Sequence, residues 1–303
     1  MRRVKLSYRR LDVFTERPLA GNPLAVVLDA DALDSGQMQA IAREFNLSET
    51  VFVLKARDPV NTARLRIFTP ALELPFAGHP TIGAAALIAF ERARDVLGQA
   101  PLRLVLEEEV GQIVCDVVRF NGALRAQFVA PRLPEICGSP DPDRLAAALG
   151  LSADDIGFDG HRPLIVSAGL PFAFIPVASR AALNRLNLDH HALTAALPMA
   201  RAAASFYTRE TEHEANHVQA RVFVPGLGAN ENPATGSAAV AFAAVALAFE
   251  KPEDGEHSLQ IEQGIAMGRP SLITVSMAVE GGALTQVSVG GASVIVGEGT
   301  LRL

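Results

Sequence analysis

The chain has 303 residues, 49% of them hydrophobic and 20% charged, with a formal net charge of −6. That length allows two domains, each able to bury its own core. The composition excludes a disordered chain, and the acidic balance without a basic stripe excludes nucleic acid as a general partner. Positive charge is almost all arginine, lysine being confined to Lys5, Lys55 and Lys251. Cys115 and Cys137 form neither a disulfide framework nor a metal-ligand spacing, and they fit a reducing, cytoplasmic setting. No apolar run follows the basic start Arg2-Arg3-Val4-Lys5, so it does not read as a secretory signal. The longest apolar run, residues 238–249, is too short to cross a bilayer and suits a buried helix.

In chain order, alternation predicts strands over residues 4–14 and 23–28, separated by a turn at Gly21-Asn22-Pro23. Residues 35–45 read as an amphipathic helix with Met38, Ile41, Ala42 and Phe45 on one face. Strands follow at 50–54 and 63–68, then a helix over 79–92 that is apolar nearly all round. A strand pair over 102–118 turns near Glu109-Val110-Gly111, and Glu107-Glu108-Glu109 reads as a solvated turn. The Pro-rich stretch 131–142 is the expected linker. The order then recurs: strands at 164–167 and 172–177, helical segments within 181–197, strands at 205–209 and 218–224, a helix over 237–250, and strands from 259 onward.

Two local patterns also recur, in the same order. Glu73-Leu-Pro75-Phe-Ala-Gly78 parallels Glu231-Asn-Pro233-Ala-Thr-Gly236, and Arg66-Ile-Phe68-Thr-Pro70 parallels Arg221-Val-Phe223-Val-Pro225. Together they predict an internal repeat of domain size. The expected division is 1–130, completed by a strand near 292–303, and 131–291. A helix apolar on all sides must be covered on all sides, so each α/β repeat is expected to wrap a curved mixed sheet or barrel around its central helix. A doubly wound sheet would need a strand–G-x-G-x-x-G–helix fingerprint, and none stands in that context.

Each apolar helix begins with a glycine and a polar residue, Gly78-His79-Pro80 and Gly236-Ser237. Capping explains such starts, Ser237 as an N-cap and Pro80 in the first turn. Two repeats facing each other would instead bring two helix N-termini to one cleft, a site suited to a carboxylate. His79 would stand at its mouth, able to hydrogen-bond an anion or transfer protons. Glu49, between a helix and an apolar strand, is a candidate general base if apolar neighbours raise its pKa. His213-Glu214-Ala-Asn-His217 spells H-E-x-x-H, but strand patterns flank it. It is expected to be a hairpin turn without metal.

Gly21-Asn22-Pro23, Ser48-Glu49-Thr50, Glu73-Leu-Pro-Phe-Ala-Gly-His79-Pro-Thr81 and Asn232-Pro-Ala-Thr-Gly-Ser237-Ala together resemble the PhzF-like phenazine-biosynthesis isomerases, along essentially the whole chain. The resemblance implies the diaminopimelate-epimerase-like fold, a homodimer, no cofactor, and an active site between the domains for a small carboxylate-bearing substrate. It implies Glu49 as general acid/base, with His79 and Ser237 assisting, and substrate contacts from Asn232, Gly78 and Gly236. The family's usual residue before P-A-T-G-S is aspartate; asparagine here keeps hydrogen bonding but carries no charge or proton. Two other readings compete. A racemase or epimerase of the same fold would place a cysteine at the start of each central helix, where this chain has Ala77 and Thr235. A non-catalytic small-anion binding protein would exchange no carbon-bound proton.

Overall fold

The structure, a computed structural model, describes residues 5–97, 100–186, 188–197, 203–224 and 229–303. Val4 and Pro225, at the margins of two of the patterns above, lie outside them. The chain divides into two compact units, one running to Pro131 and resuming at Gly290, the other Arg132–Val289.

The first unit contains β1 (Lys5–Val13), β2 (Asn22–Val27), α1 (Ser35–Phe45), β3 (Thr50–Leu54), β4 (Ala63–Phe68), β5 (Glu73–Leu74), α2 (Gly78–Ala93), β6 (Leu102–Glu108), β7 (Gly111–Phe120) and β8 (Ala123–Val129). The second contains β9 (Glu135–Gly138), α3 (Pro142–Leu149), β10 (Leu164–Ser167), β11 (Pro171–Pro176), α4 (Arg180–Arg185), α5 (His190–Ala196), β12 (Ala204–Thr208), β13 (Val218–Val224), β14 (Ala229–Asn232), α6 (Gly236–Glu250), β15 (Gly255–Gln263) and β16 (Ser271–Glu280). The last strand, β17 (Ala283–Arg302), begins in the second unit and ends in the first.

In the first unit the strands close on themselves in the order β1–β2–β3–β4–β6–β7–β8–β17–β1. The pairs β2–β3 and β4–β6 are parallel; α1 fills the first crossover and α2 the second. α1 lies outside the ring. Its Met38, Ile41 and Ala42 pack on Val27, Phe52 and Phe68, and a capping box starts it, with Asp34 accepting from the Gln37 amide while Gln37 accepts from that of Asp34. α2 lies inside, against β1, β2, β3, β6, β7 and β8, and every residue from Gly78 to Ala89 is buried. Closure without a sheet edge, around a helix with no polar face, is the expected architecture.

The second unit repeats this plan. Its sheet runs β9–β10–β11–β12–β13–β15–β16, with β11–β12 and β13–β15 parallel. α6 packs on β9, β10, β11 and β16, while Leu145, Leu149, Leu183 and Leu193 of α3, α4 and α5 form an apolar layer with Ile175 and Phe206. The repeat extends to single hydrogen bonds. Arg66 pairs with Glu73 through Nε and Nη2, and Arg221 pairs with Glu231 in the same way. Glu107 accepts from the amides of Arg57 and Asp58 and the side chain of Asn61; Glu262 accepts from the amides of Glu212 and His213 and the side chain of Asn216.

Two local expectations are corrected, and one helix is added. The Pro-rich stretch is not only linker: residues 135–138 form β9, because β10 offers them a pairing edge. Residues 142–149 form α3, started by Asp141 as N-cap with Pro142 in the first turn. Glu107-Glu108-Glu109 is not simply a solvated turn: Glu107 takes three hydrogen bonds, and Glu108 is buried at the end of β6.

Candidate functional site

Glu49, His79 and Asn22 converge inside the first unit. α1 ends where Asn46 takes a left-handed conformation, its amide bonding the Ala42 carbonyl. The chain then turns, and Glu49 enters the barrel just before β3. Asn22 opens β2, the strand parallel to β3. On β2, Asn22 and Leu24 share a face; on α2, His79 and Gly83 share a face one turn apart. Gly83 lets the two elements approach: a β-carbon there would stand 2.5 Å from Leu24 and 2.8 Å from Val13. The same approach, one turn earlier, sets His79 against Asn22.

The distances define the pair. His79 Nδ1 lies 3.3 Å from Asn22 Nδ2 and 3.5 Å from Glu49 Oε2. With Asn22 donating to Nδ1, the imidazole proton sits on Nε2. Glu49 Oε2 and His79 Nε2 are both buried without a hydrogen-bond partner among the described residues. Burial pushes the Glu49 carboxyl up to about 7 and pulls the His79 imidazole down to about 3. Both directions favour one state at neutral pH: a neutral imidazole beside a carboxyl that gains and loses its proton near pH 7. A carboxyl so tuned can give or take a proton, and a neutral imidazole protonated on Nε2 can donate a hydrogen bond.

His79 is the second residue of α2. Ala77 is the N-cap, with no side-chain cap, so the first helical amides have no intrahelical acceptor. In the second unit the N-cap of α6 is Thr235, not Ser237. Ser237 is the second helical residue and half-buried, the place His79 holds in α2. Of the two readings of Ser237, the capping one does not hold: Thr235 holds the N-cap position, and Gln263 bonds it at both its amide and its hydroxyl. Asn232 accepts from the Ala234 amide at 3.1 Å, which shapes the loop into α6. Gly78 and Gly236 open their helices. Asn22 is the participant that sequence reasoning did not single out, although its Gly-Asn-Pro motif was visible.

His213-Glu214-Ala-Asn-His217 is a turn between the antiparallel strands β12 and β13. His217 bonds Glu250 at 2.9 Å, and the His213 amide bonds Glu262, so the two side chains do not share a helix face. Among the described residues no group of three or more His, Cys, Asp or Glu side chains could hold a metal ion. No helix among them is long and apolar enough to cross a membrane. Cys115 is buried on β7 and Cys137 is exposed on β9, so neither stands at the start of α2 or α6.

A family model described as phenazine biosynthesis-like protein (PhzC-PhzF) matches residues 11–299. The chain belongs to that family. An uncharacterized isomerase of Mesorhizobium japonicum is 47% identical, over 97% of this chain and 98% of its own. A trans-2,3-dihydro-3-hydroxyanthranilate isomerase of Pseudomonas chlororaphis is 37% identical, over 98% of this chain and 99% of its own. A solved PhzF-family structure from Bacillus anthracis superposes with a TM-score of 0.88 at 28% identity, covering 99% of this chain and all of that one. As a PhzC-PhzF protein the chain is an isomerase.

Proposed function

We propose that this PhzC-PhzF isomerase moves a proton on a small carboxylate-bearing substrate without a cofactor, Glu49 acting as general acid/base. One observation carries the reading. A carboxyl and an imidazole lie together in the first unit, each with a buried polar atom that has no hydrogen-bond partner among the described residues. Buried polar atoms without partners are costly, and a bound substrate is the natural partner for this pair. At neutral pH Glu49 is divided between its two forms, so it can take a proton from one carbon and return it to another. His79 Nε2 donates to the oxygen on which charge develops, at no cost of charging a buried imidazole. Amides at the start of α2, Gly78 first, hold the substrate carboxylate with help from the helix dipole, worth roughly 0.3–2 kcal/mol. Ser237, Gly236 and Asn232 complete the proposed substrate contacts, and the working form is proposed to be a homodimer.

The test incubates the protein with trans-2,3-dihydro-3-hydroxyanthranilate, the compound in the relative's name, in deuterium oxide. Carbon-bound deuterium should appear in the wild type. Glu49→Gln should lose at least ~100-fold in rate and still bind anthranilate. Deuterium uptake at the wild-type rate in Glu49→Gln would overturn the assignment. Binding without any exchange would favour the small-anion binding protein instead.

A further inference from the structure

Glu108 has no part in the mechanism above, yet it is 8% exposed and sits within the same barrel. Its Oε1 lies 2.7 Å from Thr81 Oγ1, and its Oε2 is buried without a partner among the described residues. Thr81 Oγ1 also lies 2.7 Å from the carbonyl oxygen of Ala77. A hydroxyl has one proton, and a carbonyl can only accept. If Thr81 donates to Ala77, the bond to Glu108 needs its proton from the carboxyl, which must then be un-ionised. If Thr81 donates to Glu108 instead, two oxygens face each other across 2.7 Å at Ala77 with no proton between them.

The surroundings favour the first arrangement. Burial pushes the Glu108 carboxyl up to about 8, against the opposing pull of Thr81. On β7 the titratable group facing it is Cys115, whose thiol is itself pushed up by burial. On β4, Arg66 is paired with Glu73, and the nearby acids that act on Arg64 are Glu107 and Glu73. On α2 the contact is Thr81, and His79 is held neutral. The second unit carries a neutral side chain in the matching place. Gln263 follows Glu262 at the end of β15 as Glu108 follows Glu107 at the end of β6. Its Nε2 donates to the Asn232 carbonyl at 2.7 Å and to Thr235 Oγ1 at 3.0 Å, again at a helix start.

We propose that Glu108 is a positioning residue: as an un-ionised acid it donates through Thr81 to the Ala77 carbonyl and thereby fixes the direction of the Gly78 amide. A trans peptide is planar, with its C=O and N–H pointing opposite ways. Ala77 is the N-cap of α2, and its carbonyl also accepts the Thr81 amide at 3.2 Å. Holding that carbonyl into the helix aims the Gly78 N–H out of the open end. An ionised Glu108 cannot donate; it draws the Thr81 hydroxyl proton to itself and leaves the carbonyl held by the Thr81 amide alone. The substrate this serves rests on the isomerase reading, but the hydrogen bonds do not.

The experiment follows the Gly78 amide resonance in 15N-glycine-labelled protein from pH roughly 6 to 10, alongside turnover of trans-2,3-dihydro-3-hydroxyanthranilate. In the wild type the resonance should move as Glu108 ionises. In Glu108→Gln, whose amide still donates, that step should vanish, and only the smaller response to Glu49 near pH 7 should remain. Glu108→Leu and Thr81→Val should displace it at every pH, whereas Thr81→Ser should not. In turnover, Leu and Val should raise KM about tenfold, the equivalent of one ordinary hydrogen bond, with a smaller effect on kcat. Gln and Ser should stay close to wild type, and Gln should also lose the alkaline rise in KM. A wild-type resonance with no step that Glu108→Gln removes, or a Gln variant that behaves like Leu, overturns the proposal. Should Leu fail to fold, the Gln and Thr81 variants decide. Should no protein turn the substrate over, the isomerase reading fails, and the Gly78 resonance still decides the role of Glu108.

Discussion

Glu49→Gln keeps the shape of the side chain and removes its charge, so it separates what the carboxyl does for chemistry from what it costs the fold. Burial lifts this carboxyl from its ordinary 4.5 to about 7. At about 1.4 kcal/mol per tenfold change in proton affinity, that difference corresponds to roughly 3 kcal/mol. The sign follows from which state holds the proton more tightly. Between those two values the folded protein keeps the proton and the unfolded chain releases it. The contribution of Glu49 to wild-type stability is therefore full below about pH 4.5, falls as pH rises to about 7, and is level above it. The glutamine variant has no such loss. Against wild type it should gain nothing near pH ~4 and about 3 kcal/mol by pH ~8, a rise in melting temperature on the order of 5–10 °C. His79 and Glu108 titrate in both proteins and cancel in the difference. Calorimetric melting at a series of pH values reads this directly. A gap independent of pH, or one that widens toward acid, would refute the claim that burial holds this carboxyl neutral.

Two further outcomes test the packing around the proposed site. Native protein should show one rapidly reacting thiol, Cys137, while Cys115, buried on β7 and pushed up by burial, should react only on unfolding; two fast thiols would contradict that placement. Gly264 has φ of 76°, and a β-carbon there would lie 2.4 Å from the Arg269 carbonyl oxygen and 2.6 Å from that of Pro233, beside Asn232. Gly268 has φ of 66° with nothing near its missing β-carbon. In urea unfolding, Gly264→Ala should therefore cost at least ~1–2 kcal/mol more than Gly268→Ala, and equal costs would show that the Pro233 backbone gives way freely.

The elements most legible in the sequence were those whose signal is local. The stripe of Met38, Ile41 and Ala42 marked α1, and the apolar runs after Gly78 and Gly236 marked the helices inside their sheets. The paired Arg66–Glu73 and Arg221–Glu231 motifs were legible as a repeat, but their role in joining β4 to β5 and β13 to β14 needed coordinates. β9 was hidden because its pairing with β10 lies beyond an intervening helix, and prolines flank it. Glu108 was misread for a related reason. Three acids in a row look solvated, and only the turn of β6 into the barrel reveals that the middle one faces inward. At the site, Glu49 and His79 stood out chiefly through the family motif. Their partner Asn22 did not, because nothing local distinguishes a turn asparagine from one that orients an imidazole 57 positions away.

Strand β17 gives the first unit a particular history. Its pairing of Arg302 with Lys5 joins segments far apart in sequence, so the ring around Glu49 and His79 stays open until β17 has been synthesised. During translation β1 waits with one edge bare while the whole second unit emerges from the ribosome. The order of folding is thus inverted relative to the order of synthesis: the unit begun first is the one completed last, by a closure of high contact order that local helix formation cannot hasten. A stop codon ahead of Gly290 would remove no residue of the acid–base pair. It would leave that pair in an unclosed barrel with two unpaired strand edges, the kind of surface on which chains associate.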